Sequence, residues 1–169
     1  MDLRIPERAL VVLVGPAGCG KSTFAALRFR ATEVLSSDAF RAMIADDPGD
    51  LGATPAAFEL LHAVAARRLA AGRRTVVDAT NVQPLARRPL IELARRYGRT
   101  PVAIVFDLPE EVCQERNRLR GREVPARAVH RHAVRLRGSL CLLRDEGFAA
   151  AYVLITPDEV DRAHVVRVD

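Results

Sequence analysis

Short apolar runs alternate with longer segments of helical periodicity along the chain. Five of these runs have the composition of buried strands, and they cover residues 9–14, 33–36, 75–78, 102–107 and 151–155. The segments between them predict helices over residues 21–30, 38–45, 54–72, 84–97, from 109 onward and over 124–146. Strands that alternate with helices at this spacing favour an α/β fold, in which a parallel sheet of about five strands carries helices on both faces.

Proline and glycine set the limits of several predicted helices. Thr54 followed by Pro55 is typical of a helix start, and Gly72 is typical of a helix end. Pro89 lies inside the helix predicted over 84–97, and we expect it to disturb the beginning of that helix.

The charge balance is basic and consists almost entirely of arginine. The 169 residues include 26 basic and 21 acidic side chains, which gives a net charge of +5, and 25 of the basic residues are Arg. A genomic bias toward arginine is one explanation of this composition. It does not account for the single lysine, Lys21, which indicates a position where a compact point charge is required and a planar guanidinium does not fit.

Cysteine usage and apolar run length indicate a protein of the cytoplasm. Cys19, Cys113 and Cys141 are scattered without the spacing of a zinc site, as is typical of free thiols in a reducing compartment. Charges within the first eight residues argue against a cleavable signal peptide. The longest apolar runs are far shorter than the roughly 20 residues of a membrane-spanning helix, so we expect no membrane partner.

Residues 15–23 carry the pattern of a phosphate-binding loop, or P-loop. The pattern Gly-x-x-x-x-Gly-Lys-Ser follows an apolar strand and precedes a helix, which is the context that this motif requires. Backbone N–H groups of such a loop surround phosphate oxygens, and the helix N-terminus adds its positive end. The sequence therefore predicts a nucleoside triphosphate site formed by Gly15, Pro16, Ala17, Gly18, Cys19, Gly20, Lys21, Ser22 and Thr23.

Two side chains are candidate ligands for Mg²⁺. Ser22 supplies the hydroxyl that P-loops offer to the metal. Asp78 stands at the end of the third predicted strand, where a carboxylate commonly holds the metal directly or through water. The alternative for Asp78 is a structural one, in which it caps the turn into residues 79–81.

The segment after the second strand predicts an acceptor site. Asp38 and Arg41 are three positions apart, so they share one face of a helix. This pair suits a hydroxyl acceptor that carries a nearby phosphate, because the carboxylate can accept the hydroxyl proton while the guanidinium binds the anion. A local salt bridge at the helix start is the structural alternative.

An arginine-rich segment predicts a lid over the triphosphate. Residues 116–137 contain eight Arg and one acidic residue, and Arg116 and Arg120 share a helix face. A cation brought to the γ-phosphoryl group during transfer raises the rate by about 10³ to 10⁵. We expect Arg116 and Arg120 to act in this way, whereas Arg118 and Arg127 belong to a solvated basic surface. The four histidines do not have the spacing of a common site.

The sequence resembles the N-terminal kinase domain of bacterial polynucleotide kinase-phosphatases, which heal nucleic-acid ends. The resemblance rests on four segments that occur in this order over nearly the whole chain: VVLVGPAGCGKSTF, VLSSDAFR, TVVDATNVQPLARRPL and VAIVFDLPEEVCQERNRLRGR. It implies that residues 1–169 form a single P-loop polynucleotide kinase domain with an Arg-rich lid. Lys21 and Ser22 match the triphosphate and magnesium positions of that family.

The resemblance also implies roles on the acceptor side and in the lid. Asp38 matches the general base for the 5′-hydroxyl, and Arg41 matches the contact to the neighbouring acceptor phosphate. Arg116 and Arg120 match the lid arginines. The implied activity is an ATP-dependent and Mg²⁺-dependent transfer of phosphate to 5′-hydroxyl ends of RNA or DNA in repair.

The sequence departs from that family at several positions. Cys19 stands where Ser or Gly is common, His132 stands where Gln is expected, and the loop around Leu51 is less polar than a nucleic-acid contact would be. The family usually continues into a metallophosphatase and an adenylyltransferase. We therefore expect either a standalone kinase or one domain of a longer chain with phosphatase and ligase-type domains.

Two other functions are compatible with the same residues. One is a P-loop kinase for a small-molecule hydroxyl, such as a nucleoside, a sugar or an antibiotic, which requires the same loop and a similar carboxylate. The other is an ATP-binding or ATPase module that has no acceptor. The preference for RNA or DNA and the position of the adenine base are left open.

Overall fold

The computed structural model describes residues 1–119 and 124–169 of the chain. Five strands form a parallel sheet in the order β3-β4-β2-β5-β6, and two further strands, β1 and β7, form a separate parallel pair. The strands are β1 (Asp2–Pro6), β2 (Leu10–Val14), β3 (Val34–Ser36), β4 (Thr75–Asp78), β5 (Pro101–Phe106), β6 (Ala150–Leu154) and β7 (His164–Val168). The predicted α/β class, with a parallel sheet of five strands, is confirmed.

Seven α-helices lie within the residues that the structure describes. They are α1 (Lys21–Arg28), α2 (Ser37–Ala45), α3 (Thr54–Ala70), α4 (Pro84–Arg96), α5 (Glu110–Leu119), α6 (Ala126–Ser139) and α7 (Pro157–Arg162). Among these helices, none has the length and hydrophobicity that crossing a membrane requires.

Helices cover both faces of the sheet because its central strands are apolar on both sides. Val11 and Leu13 of β2 point into one buried cluster, which includes residues of α1, α5 and α7. Leu10, Val12 and Val14 point into the other cluster, which includes residues of α3, α4 and α6. A strand with two buried faces reads as a continuous apolar run, and this explains the uninterrupted sequence of β2.

One predicted helix ends earlier than expected, and one part of the fold was missed. The segment predicted as helix over 124–146 ends its α-helix at Ser139 and continues as a 3₁₀ turn, Leu140–Leu142. The β1–β7 pair was not predicted. In β1 the buried Leu3 and Ile5 alternate with more exposed positions, whereas every residue of β7 is at least partly exposed, and the two strands pair across almost the full chain length.

The sheet brings the candidate site segments to one edge. Ser36 at the end of β3 is in register with Asp78 at the end of β4, and Asp78 is in register with Leu13 of β2. The carboxyl ends of parallel strands form the edge where α/β proteins bind ligands. The P-loop follows β2 and α2 follows β3, so both candidate segments begin at this edge.

Candidate functional site

The P-loop connects β2 to α1 through backbone that requires glycine. Gly18 and Gly20 have φ angles of 83° and 99°, in the left-handed region that side chains other than glycine rarely adopt. A Cβ on Gly18 would also stand 2.2 Å from the backbone oxygen of Cys113 in α5. The loop therefore packs directly against α5, and its shape depends on the absence of a side chain at position 18.

The Lys21 ammonium is held inside this loop. Its Nζ donates to the Gly15 carbonyl at 2.9 Å and to the Pro16 carbonyl at 2.7 Å, and it lies 3.5 Å from the Cys19 sulfur. The lysine is buried, so these contacts satisfy a charge that has little access to water. They fix the ammonium at the concave side of a loop whose backbone geometry suits phosphate oxygens.

Two side chains of α5 donate hydrogen bonds to P-loop carbonyls. Arg116 Nη1 donates to the Cys19 carbonyl at 3.3 Å, and Asn117 Nδ2 donates to the Ala17 carbonyl at 3.2 Å. The structure thus places Arg116, one of the two candidate lid residues, against the loop. Arg120, the other, lies outside the described residues.

Cys19 and Cys113 are both fully buried at this junction. Burial, together with the nearby Cys19 and Glu110, raises the pKa of the Cys113 thiol to about 12, although the positive charges of Lys21 and Arg116 oppose the rise. Cys113 is therefore a neutral thiol at physiological pH, which makes it a packing residue rather than a nucleophile.

Asp78 is buried at the carboxyl edge beside the P-loop. Its strand contacts α1, and the N–H of Gly15 donates to the Thr80 carbonyl at 2.8 Å, so the residues after β4 touch the start of the loop. The described residues contain no cluster of three or more His, Cys, Asp and Glu that could cage a metal. The assignment of Ser22 and Asp78 as oxygen ligands of Mg²⁺, which takes its other ligands from phosphates and water, stays a prediction.

Asp38 and Arg41 contact each other at the start of α2. Arg41 Nη2 forms an ion pair with Asp38 Oδ1, and Arg41 Nε donates to the Pro48 carbonyl at 2.8 Å. Ser36 caps the helix by accepting the N–H of Ala39. The local salt bridge considered as the structural alternative therefore does form. A guanidinium carries five N–H donors, so binding of an anion by Arg41 remains compatible with this geometry.

Sequence reasoning assigned no site role to three residues that the structure places near Lys21 or in the segment after β4. The His132 imidazole of α6 has a lowered pKa because it is partly buried and because the charges of Lys21, Arg135 and Arg131 disfavour its protonation. Asn81 donates from Nδ2 to the Leu13 carbonyl at 2.9 Å, and the fully buried Arg87 contacts the Asn81 carbonyl. The segment TVVDATNVQPLARRPL contains two of these residues, but spacing alone does not show which of its polar side chains turn inward.

A cavity of about 500 Å³ lies on the outer side of α1, next to the P-loop. Its walls combine apolar side chains with a few polar ones. The lining residues come from α1, α5 and α7: Gly20, Thr23, Phe24, Leu27, Arg28, Arg116, Leu119, Val160 and Asp161. Arg116 therefore borders both the P-loop and this cavity.

Solved structures with a similar fold include several kinases. A chain of the Pnkp1/Rnl/Hen1 RNA repair complex matches 82% of this chain at 25% identity and a TM-score of 0.68. This chain spans 46% of that one, slightly less than half of its length. A putative kinase from Chloroflexus aurantiacus J-10-fl matches 89% of this chain and 86% of its own length, at 21% identity and a TM-score of 0.63.

A gluconokinase from Sinorhizobium meliloti 1021 is a third similar structure, at 20% identity and a TM-score of 0.60, covering 92% of this chain and 87% of its own. No curated protein sequence matches the chain significantly. A family model described as an AAA domain (AAA_33) matches residues 10–143, from the first strand of the central sheet to the turn after α6. The chain therefore belongs to this AAA domain family, and the parallel sheet, P-loop and kinase neighbours make it a P-loop kinase-like domain of the type that its motifs indicated.

Proposed function

We propose that the protein transfers the γ-phosphate of ATP to the 5′-hydroxyl end of RNA or DNA, with Mg²⁺ as cofactor. A P-loop kinase-like fold supports phosphate transfer from a nucleoside triphosphate. The observation that carries the choice of acceptor is the Asp38–Arg41 pair, which begins at the same sheet edge as the P-loop and combines a carboxylate with an anion-binding guanidinium. We propose residues 1–169 as one polynucleotide kinase domain.

On the acceptor side, Asp38 would accept the proton of the 5′-hydroxyl as the oxygen attacks the γ-phosphorus. The bond between that phosphorus and the β–γ bridging oxygen breaks, and ADP leaves. Arg41 would bind the phosphate next to the reacting hydroxyl and so place the oxygen in line. A general base that is positioned in this way contributes about 10² to 10⁴ in rate.

On the donor side, Lys21 and the loop backbone would bind the triphosphate, and Arg116 would stabilise charge on the transferred group. Arg120 would complete the lid. Ser22 and Asp78 would hold Mg²⁺, which neutralises phosphate charge when bound. The adenine base would occupy the cavity between α1, α5 and α7, because this space adjoins both the P-loop and Arg116.

The test is transfer of label from γ-labelled ATP to matched oligonucleotides with 5′-hydroxyl or 5′-phosphate ends. We expect labelling of the 5′-hydroxyl ends alone, a loss of at least about 100-fold in Asp38→Asn, and a raised KM for the oligonucleotide in Arg41→Lys. Equal ATP turnover with and without the oligonucleotide would support an ATPase without acceptor instead. Full labelling by Asp38→Asn would contradict the assignment of the base.

A kinase for a small-molecule hydroxyl is the second candidate, and one observation favours it. Met43 and Leu51, on the acceptor side of the molecule, are each 76% exposed, which makes this surface more apolar than a phosphate-rich partner needs. The similar structure from Sinorhizobium meliloti is a gluconokinase, and a gluconokinase acts on a small molecule. Under this alternative, Arg41→Ala retains activity on the small acceptor, whereas oligonucleotides are not labelled.

The similar chain from the RNA repair complex also suggests a setting for the activity. That protein is part of an RNA repair complex. We therefore propose RNA ends as the first acceptors to test, and repair enzymes that process or seal ends as partners.

A further inference from the structure

The loop that follows β4, residues 79–83, is hydrogen-bonded to four parts of the molecule: β2, the P-loop, α4 and α6. We refer to it as the Asn81 loop. The N–H of Gly15 donates to the Thr80 carbonyl at 2.8 Å, which joins the loop to the first residue of the P-loop. Ser139 Oγ of α6 donates to the Val82 carbonyl at 3.2 Å. The Asn81 loop therefore lies between the P-loop and α6, which covers the face of the sheet opposite α1.

Asn81 fixes one end of this arrangement with its side chain. Its Nδ2 donates to the Leu13 carbonyl at 2.9 Å and lies 3.5 Å from the Ala79 carbonyl, and the residue is 2% exposed. Both neighbours are acceptors, so only the amide N–H₂ group fits there and a carboxylate would face two carbonyl oxygens. Asn81 has a φ of 48°, which asparagine tolerates better than most residues.

Arg87 of α4 fixes the other end through the backbone. It is 0% exposed, and its Nη1 donates to the Asn81 carbonyl at 2.9 Å. Its Nε donates to Glu146 Oε2 at 2.7 Å, and its Nη2 pairs with Glu146 Oε1, so the buried guanidinium is neutralised by a residue 59 positions later. The guanidinium is bound on one side by Glu146 and on the other by the Asn81 carbonyl, so the Arg87 side chain has one orientation. Its hydrogen bond in turn holds the Asn81 backbone in place.

Leu13 and Asp78 are in register on adjacent strands, and Gly15 follows two residues after Leu13. The Asn81 contacts therefore join the end of β2, the start of the P-loop and the residues just after Asp78. We propose that Asn81 and Arg87 are positioning residues for phosphoryl transfer, which hold the P-loop and the Asp78 carboxylate in a fixed relation. This proposal rests on the proposed kinase function and concerns its donor side.

The first test replaces the ion pair by apolar side chains of similar size in the double variant Arg87→Met/Glu146→Leu. Such a replacement of a buried pair is often neutral for stability, but it removes the donor to Asn81. We expect a Tm close to that of the wild type, a kcat lowered about 10- to 100-fold, and an unchanged KM for the acceptor. The neighbouring exposed pair gives the matched control, Arg88→Met/Glu92→Leu, which should leave kcat unchanged. Full kcat in the buried double variant would overturn the proposal.

The second variant, Asn81→Gly, decides the question if the double variant does not fold. Glycine adopts the positive φ of position 81 without strain, so this change removes the side-chain amide and does not strain the backbone. We expect the same fall in kcat and at least a fivefold weaker binding of a non-hydrolysable ATP analogue with Mg²⁺. Binding of the analogue is measured without any acceptor, so it tests the positioning role even if the wild type labels no oligonucleotide. Unchanged analogue affinity in Asn81→Gly, together with unchanged kcat where transfer is measurable, would overturn the proposal.

Discussion

At the scale of single residues, the P-loop depends on one contact that leaves no room for a side chain. Gly18 combines a φ of 83° with a distance of 2.2 Å between its ideal Cβ position and the backbone oxygen of Cys113. A left-handed conformation costs a residue with a Cβ about 1–2 kcal/mol, and overpacking against backbone costs about 1–3 kcal/mol more. The loop and α5 therefore have to separate if position 18 carries even a methyl group.

We predict that Gly18→Ala lowers the free energy of unfolding by about 2–5 kcal/mol and weakens binding of an ATP analogue. The matched control is Gly138→Ala in α6, where an added Cβ meets nothing within 4 Å. That change should raise stability by about 0.5–1 kcal/mol, because alanine is the better helix former. Urea unfolding curves and analogue titrations measure both effects. A Gly18→Ala protein with the wild-type affinity for the analogue and the wild-type urea midpoint would show that the loop does not need its close contact with α5.

Sequence alone could predict the P-loop but not the residues that hold it. The glycine and lysine spacing of the loop is local, so the pattern can be recognised without a fold. Asn81 and Arg87 act through contacts to Leu13 and Glu146, which are 68 and 59 positions away, and no local pattern encodes such contacts. His132 is similar, because its interaction with Lys21 depends on how α6 packs.

At the scale of elements, α4 tolerates a proline where sequence reasoning expected a disturbance. The helix begins at Pro84 and runs through Pro89 to Arg96 without a break. Pro84 is the first helical residue, where the N–H would have no partner within the helix. Pro89 is the sixth, so its missing N–H leaves the Leu85 carbonyl without the usual helical donor. Packing of Leu90, Ile91 and Ala94 in the core compensates for this loss.

We predict that Pro89→Ala raises the free energy of unfolding by about 1–3 kcal/mol. Pro89 is exposed, so the change gains a helical hydrogen bond without opening a cavity. Pro84→Ala is the control and should be neutral or slightly destabilising, since proline suits the first position of a helix. Thermal unfolding of the two variants compares them directly. Equal Tm values for Pro89→Ala and the wild type would mean that α4 adapts its hydrogen bonding fully around the proline.

The central strands were predictable because each is a run of mostly apolar residues, whereas the peripheral strands β1 and β7 were not. β2, β4 and β5 are buried along their whole length and read as apolar runs. β1 and β7 are short and half-exposed, and each is stabilised by the other from the opposite end of the sequence. Their pairing is a property of the folded chain, since neither strand has a sheet neighbour near it in sequence.

At the scale of the whole molecule, the buried ion pairs stabilise parts of the fold that are distant in sequence. Glu33, just before β3, accepts from Arg74 just before β4, at 3.2 Å from Nη2 and 3.3 Å from Nε. Glu33 also accepts the backbone N–H of Arg30 at 2.9 Å. Both partners of the ion pair are buried, and both precede their strands, so they lie at the sheet edge opposite the candidate site.

The ionisation of Glu33 makes the stability of the fold depend on pH. Burial by itself would raise the pKa of Glu33, but the hydrogen bond from Arg30 and the charges of Arg74 and Arg167 together lower it below its ordinary value of 4.5. A carboxyl whose pKa is lower in the folded state stabilises the fold above the unfolded-state pKa, and loses this contribution as pH falls through the folded-state pKa. The lowered pKa values of His62 and His132 act in a higher window, because the unfolded chain takes up protons first as pH falls below 6.5.

We predict that Glu33→Gln lowers the free energy of unfolding by about 3–5 kcal/mol at neutral pH, because it leaves the buried Arg74 without a counter-charge. Unfolding curves from pH 7 to 3 should show a constant difference between wild type and variant down to about pH 4.5, and then a shrinking one as Glu33 of the wild type becomes protonated. Both proteins should lose stability alike below pH 6.5, since both retain His62 and His132. The pair lies away from the carboxyl edge, so kcat at pH 7 should not change. A difference that stayed constant to pH 3 would mean that Glu33 has the same pKa in the folded and the unfolded chain.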